Sequence, residues 1–183
     1  LIVVNALLSY LVDARYLRGN PLSLIRRRNR ALTPETVEAI SQERFLDRET
    51  WEYLKGFIAA LPQETPREIE HYERLRFLFH FLYLLAPRVS ELASHPMNSF
   101  REFRGHWWWF VLGKGQKRGK VPVNDEMLDA LIPYRRFLKL ADLPAENDTS
   151  PVLRSLKGKR GISANMIYRL VKSTVAQAAD KLE

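Results

Sequence analysis

The segment that most constrains this chain is Phe77 to Ala86, a ten-residue, almost continuously apolar run interrupted by His80. Such a run needs cover on nearly every side, yet it is too short to cross a bilayer. Thr65-Pro66-Arg67-Glu68 reads as a capping box with Pro at the first helical position, and Ile69, Tyr72 and Leu75 follow on one face. The pattern predicts one helix running to about Ala86. It starts amphipathic and ends with its C-terminal half in the core.

The flanking pattern is mostly helical. Asp47 is a plausible N-cap for a helix to about Ala60, with Trp51, Leu54, Phe57, Ile58 and Leu61 on one face and Pro62 ending it. A short helix, Arg88 to His95, follows Pro87. Trp107 to Leu112 is aromatic and β-prone, Gly113-Lys114-Gly115-Gln116 is a turn, and Lys120 to Val123 is a return strand with Pro122 at its end or an edge. A first strand near Ser99 to Phe103 completes a three-stranded antiparallel sheet. Asn124-Asp125-Glu126 caps a helix to about Leu140. Residues 141 to 161 form a long loop, and Ser163 caps a last helix with Ile167, Leu170, Val171 and Val175 on its apolar face. The fold class is therefore mainly α with one small three-stranded antiparallel sheet.

Upstream, Val4, Leu7, Leu8, Leu11 and Val12 fall at helical spacing over residues 1 to 17, and Gly19-Asn20-Pro21 is expected to stop that helix. The polar, basic residues that follow read as a linker. The first helix then reads as the last piece of a preceding domain, and the chain, from Leu1 to Leu182-Glu183, as an excerpt of a longer protein. No basic region precedes the apolar start, so no signal peptide is expected.

The formal charge of +8 is uneven. Residues 31 to 75 hold ten acidic and five basic residues, a net of −5, so the rest carries +13. Arg26, Arg27, Arg28 and Arg30 form one cluster. Arg101, Arg104, Lys114, Lys117, Arg118 and Lys120 form a second, and Arg154, Lys157, Lys159 and Arg160 a third. Either these converge into a phosphate-binding face or they are solvated faces of an ordinary basic protein. There is no cysteine, which excludes a disulfide scaffold, a thiolate nucleophile and a Cys-based zinc site and fits a reducing, cytoplasmic compartment. His71, His80, His95 and His106 lack paired ligand spacing and read as structural or solvated, so no metal or other cofactor is expected. Trp107 to Leu112 presents apolar side chains to both faces of a strand, and we read it as core rather than as a base-stacking surface.

The informative combination is Arg88-Val89-Ser90-Glu91-Leu92 followed by a hairpin with Gly113-Lys114-Gly115 at its tip. Glu91 lies three residues after Arg88, on the same helical face, and can orient its guanidinium. The motif Leu-Leu-Ala-Pro-Arg-Val-Ser-Glu-Leu, followed by Gly-Lys-Gly-Gln-Lys-Arg-Gly-Lys-Val-Pro-Val, resembles the tyrosine recombinases, the phage integrase and Xer-like site-specific recombinases of DNA. The resemblance covers roughly residues 45 to 175. It implies the end of a core-binding domain at 1–18, a basic inter-domain linker at 19–44 and a partial catalytic domain at 45–183.

The resemblance further implies that Arg88 holds a scissile phosphate and that Lys114 is the general acid for the departing 5′ oxygen, with Glu91 supporting the pocket. The reaction of such proteins is a metal-independent transesterification through a 3′-phosphotyrosyl link. Double-stranded DNA is the expected partner, with self-association on it in the complete protein. Expected DNA contacts are Arg26, Arg27, Arg28, Lys117, Arg118, Lys120, Asn165 and Arg169. Two departures stand out. Ala86-Pro87 occupies the place where the family often has Gly and an apolar residue. No His follows His106, so the family's His-x-x-Arg is missing, and no tyrosine, Tyr168 included, falls where the nucleophile belongs. The chain is thus expected to bind DNA but not cleave it alone. The alternative is a non-catalytic DNA-binding remnant or regulator of integrase ancestry.

Overall fold

A computed structural model describes residues 8, 10–18, 46–113, 115, 117–155, 158 and 160–182. The chain divides into two compact units, Leu1–Leu46 and Asp47–Glu183. In the first, the described residues end a helix at Asp13, earlier than Gly19-Asn20-Pro21 suggests. Arg15 takes a left-handed φ of 62°. Its N–H donates to the Val12 carbonyl (2.9 Å), and that of Tyr16 to Leu11 (2.8 Å). This is the Schellman pairing, which satisfies the last free carbonyls of a helix.

The second unit opens with helix α1 (Arg48–Ala59), capped by Asp47, whose carboxylate accepts the Thr50 N–H at 2.7 Å. Trp51, Leu54, Phe57 and Ile58 are buried. Helix α2 (Pro66–Leu85) begins at the expected box: Thr65 Oγ1 accepts the Glu68 N–H (3.3 Å) and Glu68 accepts the Thr65 N–H (2.8 Å). Its second half is the centre of the core, with Phe77, Leu78 and Phe81 fully buried. Phe77 stacks on Tyr134 at 4.4 Å, and Phe81 meets Trp109 edge-on at 4.9 Å. The one polar residue of the run, His80, uses Nδ1 on the Arg76 carbonyl (2.7 Å) and sets its ring edge-on to Trp51. Burial holds its pKa below the ordinary value.

Helix α2 stops at Ala86, in a left-handed conformation (φ 45°, ψ 47°), and Pro87 prevents its continuation. Helix α3 (Val89–Ser94) starts at once, with Arg88 as its N-cap residue. A single 3₁₀ turn, Met97–Ser99, leads into strand β1 (Phe100–Phe103), followed by β2 (His106–Leu112) and β3 (Arg118–Pro122). They form one antiparallel sheet in the order β1-β2-β3. Arg104 and Gly105, both at positive φ (55° and 78°), make the tight β1–β2 turn, the backbone that two-residue hairpins favour. Helix α4 (Asp125–Phe137), capped by Asn124, ends before Leu140. There Arg135, 2% exposed, turns back to the Ala141 carbonyl (2.7 Å) and to Asp148 (2.7 Å), fixing the loop. Helix α5 (Ala164–Ala179), capped by Ser163, closes the unit.

Two expectations are corrected. Along β2, Trp109 is buried and Trp107 and Val111 pack against the core, but Trp108 and Phe110 are only partly covered and Leu112 is 47% exposed. The sheet therefore has one core face, because no second layer of the described unit covers the other. On α5, Val175 is exposed, whereas Thr174 and Ala178 are buried with Ile167. At about 100° per residue, Thr174 and Ala178 lie within about 20° of Ile167, while Val175 is about 80° away. No helix among the described residues is long and apolar enough to cross a membrane.

Candidate functional site

The start of α3 and the end of β2 meet around a cleft of about 230 Å³, whose walls include Arg88, Glu91, Gly113, Lys117 and Lys120. Arg88 is placed there by the turn at Ala86-Pro87. Its side chain is 69% exposed, while the Glu91 side chain beneath is 9% exposed. One Glu91 oxygen accepts Arg88 Nη1–H at 2.6 Å and the other accepts the Arg88 backbone N–H at 2.9 Å. Glu91 thus performs its half of a capping box. Arg88 has no acceptor to complete the box, and its side chain donates instead to the same carboxylate. Burial pushes the Glu91 carboxyl upward, but the hydrogen bonds and charge of Arg88 outweigh it, so its pKa lies below the ordinary carboxylate value. At neutral pH the site presents an outward-facing guanidinium anchored from below by a carboxylate. Five N–H donors on a planar fork suit the oxygens of a phosphate.

Gly113 brings the hairpin close. A Cβ there would stand 3.4 Å from both Arg88 Nη1 and Glu91 Oε1. The Gly113 N–H closes the hairpin base on the Lys117 carbonyl (2.8 Å). Lys114 lies outside the described residues, as do Arg26, Arg27 and Arg28, so the described half of the expected catalytic pair is Arg88 with Glu91.

His95, read from the sequence as structural or solvated, has a structural place whose partners the sequence does not indicate, and no group of three or more potential metal ligands occurs among the described residues. The His95 Nδ1–H donates to the Glu91 carbonyl (2.7 Å), which leaves Nε2 to accept the Leu112 N–H (2.9 Å). That N–H sits on the stretch of β2 beyond its pairing with β1, which reaches only Trp109. His95 therefore replaces a missing strand partner and ties the Arg88 corner to the residue preceding Gly113. The available signal was spacing, since Arg88, Glu91 and His95 recur at three and four residues, one helical face.

Of the other expected contacts, Lys117 and Lys120 border the Arg88 cleft. Arg118 lines a neighbouring cleft of about 660 Å³ with Arg101 and Phe110. Asn165 and Arg169 are exposed on α5, one turn apart, with Tyr168 59% exposed beside them. Helix α5 packs against α3.

No protein-family model matches the chain, and no curated protein matches it in sequence. Among solved structures it is similar in fold to the XerH site-specific recombinase, determined bound to its difH substrate in a pre-cleavage complex. The identity is 18% and the TM-score 0.55, over 73% of this chain and 36% of the recombinase. The chain thus spans about a third of that protein's length. The mostly helical unit with its three-stranded sheet is a fold of the tyrosine-recombinase kind.

Proposed function

We propose that this chain is a double-stranded-DNA-binding portion of a site-specific tyrosine recombinase. In this reading Arg88 grips the phosphate at which the complete protein cleaves, Glu91 holds that arginine in place, and Lys114 on the hairpin tip delivers a proton to the departing 5′ oxygen. The single observation that carries the reading is the exposed Arg88 guanidinium anchored on a buried carboxylate, with the hairpin packed against it. A guanidinium left open to solvent above a buried carboxylate keeps free donors that match the oxygens of a phosphate. The fold likeness to a recombinase solved on DNA adds support.

Lys117, Arg118, Lys120, Asn165 and Arg169 are proposed to hold the duplex backbone or base edges, with Arg26, Arg27 and Arg28 along the linker between a core-binding end at 1–18 and the partial catalytic domain at 45–183. Self-association on DNA belongs to the complete protein. No tyrosine of this chain is assigned as nucleophile, so strand cleavage is not expected of it alone.

The test is duplex binding at two or more salt concentrations. Arg88→Ala should weaken binding and reduce the magnitude of the slope of log K against log salt by about 0.9, the signature of one lost phosphate contact. An unchanged slope and affinity would remove Arg88 from the interface.

A further inference from the structure

The outer face of the sheet carries aromatic rings, Phe103, Trp108 and Phe110, that the Arg88 cleft does not include. Cross-strand register places Arg101 opposite Trp108, Lys120 opposite Phe110 and Arg118 opposite Leu112, all on the side away from buried Trp109. Phe103, 44% exposed, joins them from the end of β1. Rings and cations alternate across this face. Lys120 Nζ lies 4.3 Å from the Trp108 ring and 5.0 Å from that of Phe103, and the Arg101 guanidinium 5.8 Å from that of Phe110. Among the described residues of the three strands, register puts no carboxylate on this side.

One further observation points to a ligand. The cleft of about 660 Å³ opens on the same face, with Arg101, Arg118 and Phe110 in its walls. A surface that pairs each aromatic ring with a neighbouring cation matches a polymer that pairs each base with a phosphate. Double helices hide their base faces, so the matching polymer is a single strand, whose bases stack on rings while cations follow its backbone.

We infer that the outer sheet face, through Phe103, Trp108 and Phe110 with Arg101, Arg118 and Lys120, binds unpaired nucleotides of single-stranded DNA. This goes beyond the duplex reading and does not depend on Arg88. Lys120 also borders the Arg88 cleft, so the two surfaces share a cation. An unpaired strand leaving the phosphate held at Arg88 would meet the rings next.

The test is fluorescence anisotropy with the full chain and two labelled probes of about ten nucleotides, an oligothymidylate and an abasic oligomer of the same length and charge. The wild-type chain should bind oligothymidylate at least about tenfold more tightly than the abasic probe. Phe103→Leu and Phe110→Leu should each erase most of that preference and leave abasic binding unchanged. Phe103 is exposed enough that its variant reports on binding rather than folding. Arg88→Ala should keep the preference, so failure of the duplex reading and failure of this one are separable. Equal binding of both probes by the wild type, or variants that weaken both probes alike, would overturn the inference.

Discussion

Replacing Glu91 by glutamine keeps the shape of the residue under Arg88 and removes only its charge. In the wild-type chain its two oxygens accept the Arg88 backbone N–H at 2.9 Å and Nη1–H at 2.6 Å. A glutamine has one acceptor oxygen, and its NH₂ must then face the second donor. Hydrogen bonds to charged groups contribute about 1.5–3 kcal/mol each. The Arg88 side chain is 69% exposed, so water takes up the freed N–H and screening trims the charge term. The net loss is then about 1–2 kcal/mol, which lowers the thermal midpoint of a unit this size by about 5 °C. The pH dependence gives a second signature. The folded pKa of Glu91 is depressed. Its stabilisation is therefore present above the unfolded carboxylate value, about 4.3, and lost as pH falls through the lower folded value. Circular dichroism melts of both proteins at a series of pH values from neutral into acid should show the full gap at neutral pH and its narrowing as the pH falls below about 4.3, because a protonated Glu91 resembles glutamine. Other depressed carboxylates, such as Asp148, shift both melts alike. A variant as stable as wild type at neutral pH, or a gap that does not narrow at all as the pH falls, would refute the anchoring argument.

Other outcomes follow from the same geometry. Arg135→Leu strands the largely buried Asp148 carboxylate without its partner, and should cost about 3 kcal/mol, read as a fall of about 10 °C in the melting midpoint. His95→Ala removes the acceptor for the Leu112 N–H, so hydrogen exchange there should quicken about tenfold while the Trp109 amide keeps its protection. At Gly113 an alanine fits at contact distance from Arg88 and Glu91, whereas the extra methyl groups of valine press into the pair. Gly113→Ala should bind duplex nearly as wild type and Gly113→Val about tenfold more weakly, an overpacking effect of one to a few kcal/mol.

Much of this architecture was legible because local chemistry and global packing agree. The capping box at Thr65, the caps at Asp47, Asn124 and Ser163, and the apolar half of α2 each follow from backbone groups that need partners or side chains that need cover. The Arg88–Glu91 pairing was legible from helical spacing alone. What escaped were choices made by non-local neighbours. Whether the Trp108 side of β2 is covered depends on a second layer, which no period-two pattern reveals. Thr174 lies in the core in preference to the more apolar Val175 because angle around the helix outranks hydropathy. The partner of His95 escaped because the Leu112 N–H lies across a hairpin and is a backbone group that leaves no mark in the side-chain pattern.

Ala86 stands at the joint that aims Arg88, in a backbone conformation glycine adopts freely and alanine only at a cost of about 1 kcal/mol. Glycine there would relax the joint, but it would also widen the range of angles the joint samples. An alanine followed by a proline is biased toward extended backbone, so its left-handed state is held by the packed elements on either side, and the corner behaves as a preset bracket rather than a hinge. Much of the orientational entropy that a long, exposed arginine would otherwise lose on meeting an anion is then lost during folding, before any ligand arrives.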